Sequence, residues 1–468
     1  MAETHGVNVL SNGRHRARPL VVTFGLVGAF LAAGYGVLFT VLDEFRDEYG
    51  INESALGAVI GVGFFAAFVA QVGIAPLADR GHARRLVLAG LVLNIVGLLM
   101  MAAATTIVPL LAGRIVAGVG IGMAVPAIRR IVILADPDNL GHNIGLLLAA
   151  DVAGFAAGPA VSALLVGPFG IPTPFVVIAG ASLVALPFVA RTKVAETVAP
   201  TAPRFAFDLL RIRPFAGAVV LGSAVFLMIG AFDALWSVAL DDLEAKDWIA
   251  NLGITLFALP LVVFGALGGR LAQRVGPFRL GTVGLLLGAA FMSLYGVMPT
   301  AGAMFAVAMV HAVSDGITVS STGVAVGLVV PAERQAGAQG VLGGLQTLTA
   351  GAVAIVTGVL YEHAGRTTAY AFASGLMVVF VAAGAWLARE SWSLRDLGGE
   401  PTPCDSAFVS TAEPAEQPKR ELDGASGPTY LLESLEGGTG AGVPVVGPEV
   451  PGMPTTVCVS EVSPTNLT

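Results

Sequence analysis

The chain has 468 residues, of which 55% are hydrophobic and 12% charged. A soluble domain carries about 25% charged residues, so this composition excludes an ordinary soluble protein. Two cysteines, Cys404 and Cys458, exclude a disulfide scaffold or a cysteine zinc cluster. The net charge of −7 is local to one end: from Arg389 onward there are 12 acidic and 4 basic residues, a sum of −8.

Apolar runs long enough to cross a bilayer as helices recur at about 20–42, 54–77, 86–105, 107–128, 141–165, 173–190, 215–239, 249–269, 279–298, 301–328, 338–360 and 367–388. Before the first run lies a basic arm, 1–19, with Arg14, Arg16 and Arg18. The run behind it exceeds twenty residues and has no small-residue cleavage site, so it reads as a retained helix. Loop charge then orients the chain. The segments at 43–53 and 241–247 sum to −4 and −3, and only Arg46, Lys246 and Arg366 of the loop cations fall on that side. By the positive-inside rule both termini are cytoplasmic, and a plasma-membrane location is expected.

The two halves of the chain echo each other. "VGAF" at 27–30 returns as "IGAF" at 229–232, "LDE" at 42–44 as "LDD" at 240–242, and "LADR" at 77–80 as "LAQR" at 271–274. This predicts an all-α polytopic membrane protein of twelve helices in two pseudo-symmetric six-helix bundles, 20–190 and 215–388. A cytoplasmic loop, 191–214, joins the bundles. An acidic tail, 389–468, rich in Pro, Gly, Ser and Thr, follows and is expected to be mostly disordered. Duplicated six-helix halves around a midplane site are one architecture of secondary transporters.

The loop after the second span reads "APLADRGHARRL", 75–86. With Leu77, Ala78, Asp79, Arg80, Arg84 and Arg85 in place, it resembles the signature loop of the major facilitator superfamily. A connection this short is expected to leave Asp79 uncovered amid Arg80, Arg84, Arg85, Arg129 and Arg130. A carboxylate among guanidiniums forms a charge-assisted network, and the resemblance implies that Asp79 latches the cytoplasmic face. The second copy carries Gln273 in place of the acid and is expected to contribute little. In the fourth span, "RIVAGVGIGMAVP" at 114–126 resembles the family's Arg-x-x-x-Gly-x-Gly pattern. In the fifth, Gly145, Gly154 and Gly158-Pro159 resemble its antiporter-associated pattern, with Ser162-Ala163 in place of the closing Gly-Gly.

Ionisable groups inside spans are costly and mark function by default. Asp151 stands near mid-depth of the fifth span. Arg114 of the fourth is expected to approach it, forming a proton-coupling pair, with Asp315 and Asp233 as further carriers. A cavity lined by Phe64, Phe65, Met123, Phe155, Phe226 and Met228 is expected to gain polar contacts from Tyr35, Gln71, Asn94, Trp236, His311 and Gln346. That lining favours amphipathic or drug-like solutes over sugars.

Three lysines, none following a glycine, leave no phosphate-cradling loop of the G-x-x-x-x-G-K type. Nor is there an H-E-x-x-H or G-x-S-x-G string for an enzyme. The expectation is a monomeric, non-enzymatic, proton-coupled exporter of small organic molecules, with no metal, cofactor or nucleic-acid partner. Alternatives are a proton-coupled uptake symporter and, from another class, a non-transporting receptor or membrane enzyme.

Overall fold

A computed structural model describes residues 5–194 and 205–392. The tail and the middle of the central loop, for which disorder and a bundle connection are expected, lie outside the described residues from 393 and at 195–204. The described residues are helical and contain no strand. Among the described residues, eleven stretches are long and apolar enough to cross a membrane.

In the first half the helices are α1 (His5–Thr40), α2 (Leu42–Tyr49), α3 (Glu53–Gly73), α4 (Ala83–Ala102), α5 (Ile107–Ala135), α6 (Leu140–Phe169) and α7 (Pro172–Arg191). The second half holds α8 (Arg213–Asp242), α9 (Asp247–Val275), α10 (Pro277–Val297), α11 (Ala301–Thr318), α12 (Ser321–Val329) and α13 (Gln335–Leu387). Short 3-10 turns at Ala75–Asp79, Ala206–Arg211 and Ala332–Arg334 complete the frame near one end.

Local chemistry places the boundaries. Asn52 caps α3 by accepting the Ala55 N–H at 2.8 Å, and Gly50 ends α2 with a φ of 66°. Proline opens α10 and α7, where a missing N–H costs nothing. One predicted span differs from the structure: the tenth is interrupted between α11 and α12. The last two spans, 338–360 and 367–388, are the two arms of α13, which meet at Gly365, whose φ of 78° turns the chain. Its two arms lie antiparallel against α8: Gly222 meets Leu342 and Gln346, while Gly217 meets Gly384 and Ala388.

Two apolar cores result, one drawn mainly from α1–α7 and the other from residues 206–388. Outside them, large apolar side chains such as Leu164, Val283 and Ile355 are bare. A surface like this is untenable in water and suits a bilayer, where only internally bonded helices can span.

Candidate functional site

The halves meet where α13 begins. Asp79, at the end of the turn after α3, is 2% exposed. Its carboxylate accepts the Arg130 Nε–H at 2.9 Å, the Ala336 N–H at 2.9 Å and the Gly337 N–H at 2.7 Å. The last two are free N–H groups of the first turn of α13, where the helix dipole favours negative charge. Asp79 is therefore not uncovered: the second half buries it. Of the five arginines expected around it, Arg130 makes the ion pair. Arg84 instead donates to the Ala190 and Thr192 carbonyls, Arg85 is exposed, Arg80 is half-buried, and Arg129 donates to Gln339 Oε1 of α13 at 3.5 Å.

Gln273 occupies the matching position in the second half, contrary to the small role expected of it. Its Oε1 accepts the Gly141 N–H at 2.7 Å, at the first turn of α6, and its Nε2 donates to the Asp138 carbonyl at 3.1 Å. Each half thus caps the opening helix turn of the other, once with a carboxylate and once with an amide. The 194-residue offset between "LADR" and "LAQR" aligned Asp79 with Gln273; the missing charge hid the shared geometry.

Close helix contact holds the same end shut. A Cβ on Gly145 would strike the Gly265 carbonyl of α9, and one on Gly340 the Gln71 carbonyl of α3. Gly154 and Gly158 pack instead on Ala29 and Gly36 of α1, inside the first half, with Pro159 following in the same helix. Gly145→Val is expected to pry the α6–α9 contact apart at a cost of about 1–3 kcal/mol. A spin-label distance between 138 and 274 would lengthen, and an unchanged distance would place the clash elsewhere.

Inside the first half, Asp151 and Arg114 do not pair. The reason is packing: α6 lies along α1 far more than along α5. Asp151 faces Gly28 of α1, and the cation acting on it is Arg129. Arg114 instead sits beside Gly63 with its guanidinium 4.4 Å from the Tyr35 ring centre.

In the second half, Tyr295 Oη and His311 Nδ1 share a hydrogen bond of 2.7 Å, and His311 Nε2 lies 3.4 Å from Asp315. Phe291 stacks on the imidazole. Sequence reasoning missed Tyr295, one of six tyrosines with nothing in its local pattern to single it out. Trp236 is buried, stacked on Phe232 in the second core. Gln346 is likewise internal, donating to the Gly222 carbonyl at 3.3 Å, and Gln71 belongs to the inter-half contact. Asp233 is exposed, nine residues before the end of α8 rather than at its rim, and within electrostatic reach of Tyr35.

Among the described residues, no group of three or more His, Cys, Asp or Glu is placed to hold a metal. The site is a pair of inter-half caps, with Asp151 in one half and Asp315 in the other.

Comparison with known proteins agrees with this architecture. The Major Facilitator Superfamily model matches residues 24–244. A tetracycline resistance protein, class E, from Escherichia coli is 26% identical over 364 residues, 74% of this chain and 89% of the relative. The 4-hydroxybenzoate transporter PcaK of Pseudomonas aeruginosa is 34% identical over 129 residues, 26% of this chain and 28% of the relative. The crystal structure of the human organic anion transporter MFSD10 superposes with a TM-score of 0.64 at 17% identity, covering 79% of this chain and 99% of that one.

Proposed function

The chain is a multi-pass transporter of the major facilitator superfamily, and from that premise we propose that it exports small organic molecules in exchange for protons by alternating access. The observation that carries this reading is the pair of caps at Asp79 and Gln273. They close one end of the helices, and both must break for that end to open.

Coupling to protons follows from Arg129. It acts on Asp151 and also donates to Gln339 across the halves. A proton on Asp151 removes the charge that holds Arg129 inward, so its uptake changes the force on a contact joining the two bundles. Asp315, 3.4 Å from the Nε2 of His311, whose Nδ1 shares a hydrogen bond with Tyr295, is a second carrier in the other half. The similarity over nearly all of a tetracycline resistance protein supports export, since a carrier confers resistance by removing the drug. The experiment is a solute screen in inverted vesicles with a pH-sensitive dye. Solute-dependent proton release from the vesicle lumen is expected, and solute movement without it would remove the coupling.

Orientation is part of the proposal: the Asp79 end faces the cytoplasm of the plasma membrane, with both termini inside. After replacing Cys404 and Cys458, single cysteines at the exposed positions 48 and 82 report it. Position 82 is preferred to Gly81, whose φ of 82° disfavours a side chain. An impermeant thiol reagent on intact cells is expected to label 48 and not 82; the reverse pattern would invert the topology.

A further inference from the structure

Arg114 is a buried cation that neither the caps nor the coupling path uses. It is 3% exposed and lies seven residues inside α5, about 10 Å at 1.5 Å per residue. Among the described residues no carboxylate pairs with it, and its Nε–H is buried without a hydrogen-bond partner. A guanidinium kept in such a place needs a partner. The surroundings are built around it: a Cβ on Gly63 would collide with Nε, and the Tyr35 ring lies beneath the charge at 4.4 Å, with Phe64 at 6.0 Å.

A second donor stands beside it: the Tyr35 hydroxyl oxygen faces the guanidinium, and its own O–H is buried with no acceptor. Phe39, Phe64 and Phe155 surround the Tyr35 ring, with centroids 4.7, 5.4 and 5.8 Å away. Two orphan donors, one of them cationic, call for an oxyanion; the aromatic rings call for a flat apolar body attached to it. The charged group facing this place from the other half is Asp233 of α8.

We propose that Arg114 and the Tyr35 hydroxyl receive the anionic group of the substrate, and that the substrates are aromatic organic anions such as carboxylates or phenolates. This rests on the transporter reading above and narrows its solute class.

The test uses the full chain in lipid nanodiscs and proteoliposomes with a shape-matched pair, 1-naphthoate and 1-naphthamide, and with ethidium as an aromatic cation. Naphthoate is expected to bind and to be transported, with the amide at least about tenfold weaker, as fits a charge-assisted hydrogen bond. Arg114→Gln should remove that preference while leaving amide binding in place, which also shows that the variant is folded. Arg114→Lys should restore part of it, since an ammonium lacks the planar fork. Tyr35→Phe should weaken naphthoate several-fold without touching Arg114. Equal affinity for naphthoate and naphthamide, or undiminished naphthoate binding in Arg114→Gln, would overturn the proposal. So would loss of naphthoate binding in Asp233→Asn, which would make Asp233 the organising group. Transport of ethidium or naphthamide without naphthoate would overturn the anion site and leave the transporter reading standing. No movement of any of the three would count against both.

Discussion

Asp79→Asn is expected to open the end of the molecule that the wild type holds shut, and to reduce transport at least about a hundredfold. The carboxylate satisfies one buried guanidinium and two helix N–H groups at once. An asparagine keeps the size but removes the charge opposite Arg130, whose side chain is fully buried. Arg130 lies in the same half as Asp79, so closure rests on the two charge-assisted bonds from the α13 amides, about 1.5–3 kcal/mol each, and every 1.4 kcal/mol is a factor of ten in a conformational ratio. Spin labels at the exposed positions 85 and 333 would report a longer, broader distance distribution. Gln273→Ala loses neutral hydrogen bonds worth about 1 kcal/mol each, so the same end should loosen less. Equal effects at both positions would mean that the charge of Asp79 adds nothing to closure.

Asp151→Asn is expected to abolish uphill transport driven by a proton gradient while solute exchange continues. Exchange needs no net proton movement, whereas accumulation requires a group that changes charge once per cycle. Arg129→Gln should uncouple in the same direction, because it removes the link from Asp151 to Gln339. Arg114→Ala should weaken solute binding without releasing the proton coupling, since Arg114 faces Tyr35 and not Asp151. Full gradient-driven accumulation in Asp151→Asn would move the carrier to Asp315, where the companion substitution Asp315→Asn decides.

The bundle architecture was legible because a bilayer leaves few choices: every long apolar run had to become a helix, and the repeat at an offset near 200 paired the halves. The break between α11 and α12 was harder to see, because no proline or charge falls within 316–322 to mark the turn there. For the site, residue types were readable and partners were not. Asp79 looked exposed because its cover comes from Ala336 and Gly337, more than 250 residues away. Arg114 and Asp151 looked adjacent because their helices follow one another in sequence, yet α1 takes the place along α6 that a sequence neighbour would have filled. Trp236 and Gln346 looked like cavity residues for want of any signal separating a bundle's inside from its mouth.

The two caps are alike in geometry and unlike in kind, and this imposes an order of events on the opening. The seam of α3 against α13 is fastened by two α13 amides on a buried carboxylate, which Arg130 holds from within the same half; that of α6 against α9 is fastened by an amide whose Nε2 bonds reach exposed backbone. Water entering from the surface meets the amide seam first and replaces its hydrogen bonds at almost no net loss. The carboxylate seam resists until both α13 amides are released from Asp79 together. The halves therefore do not part symmetrically: they swing about the Asp79 side as a temporary hinge. A lopsided intermediate, split along α6 and α9 alone, is the expected first step of opening.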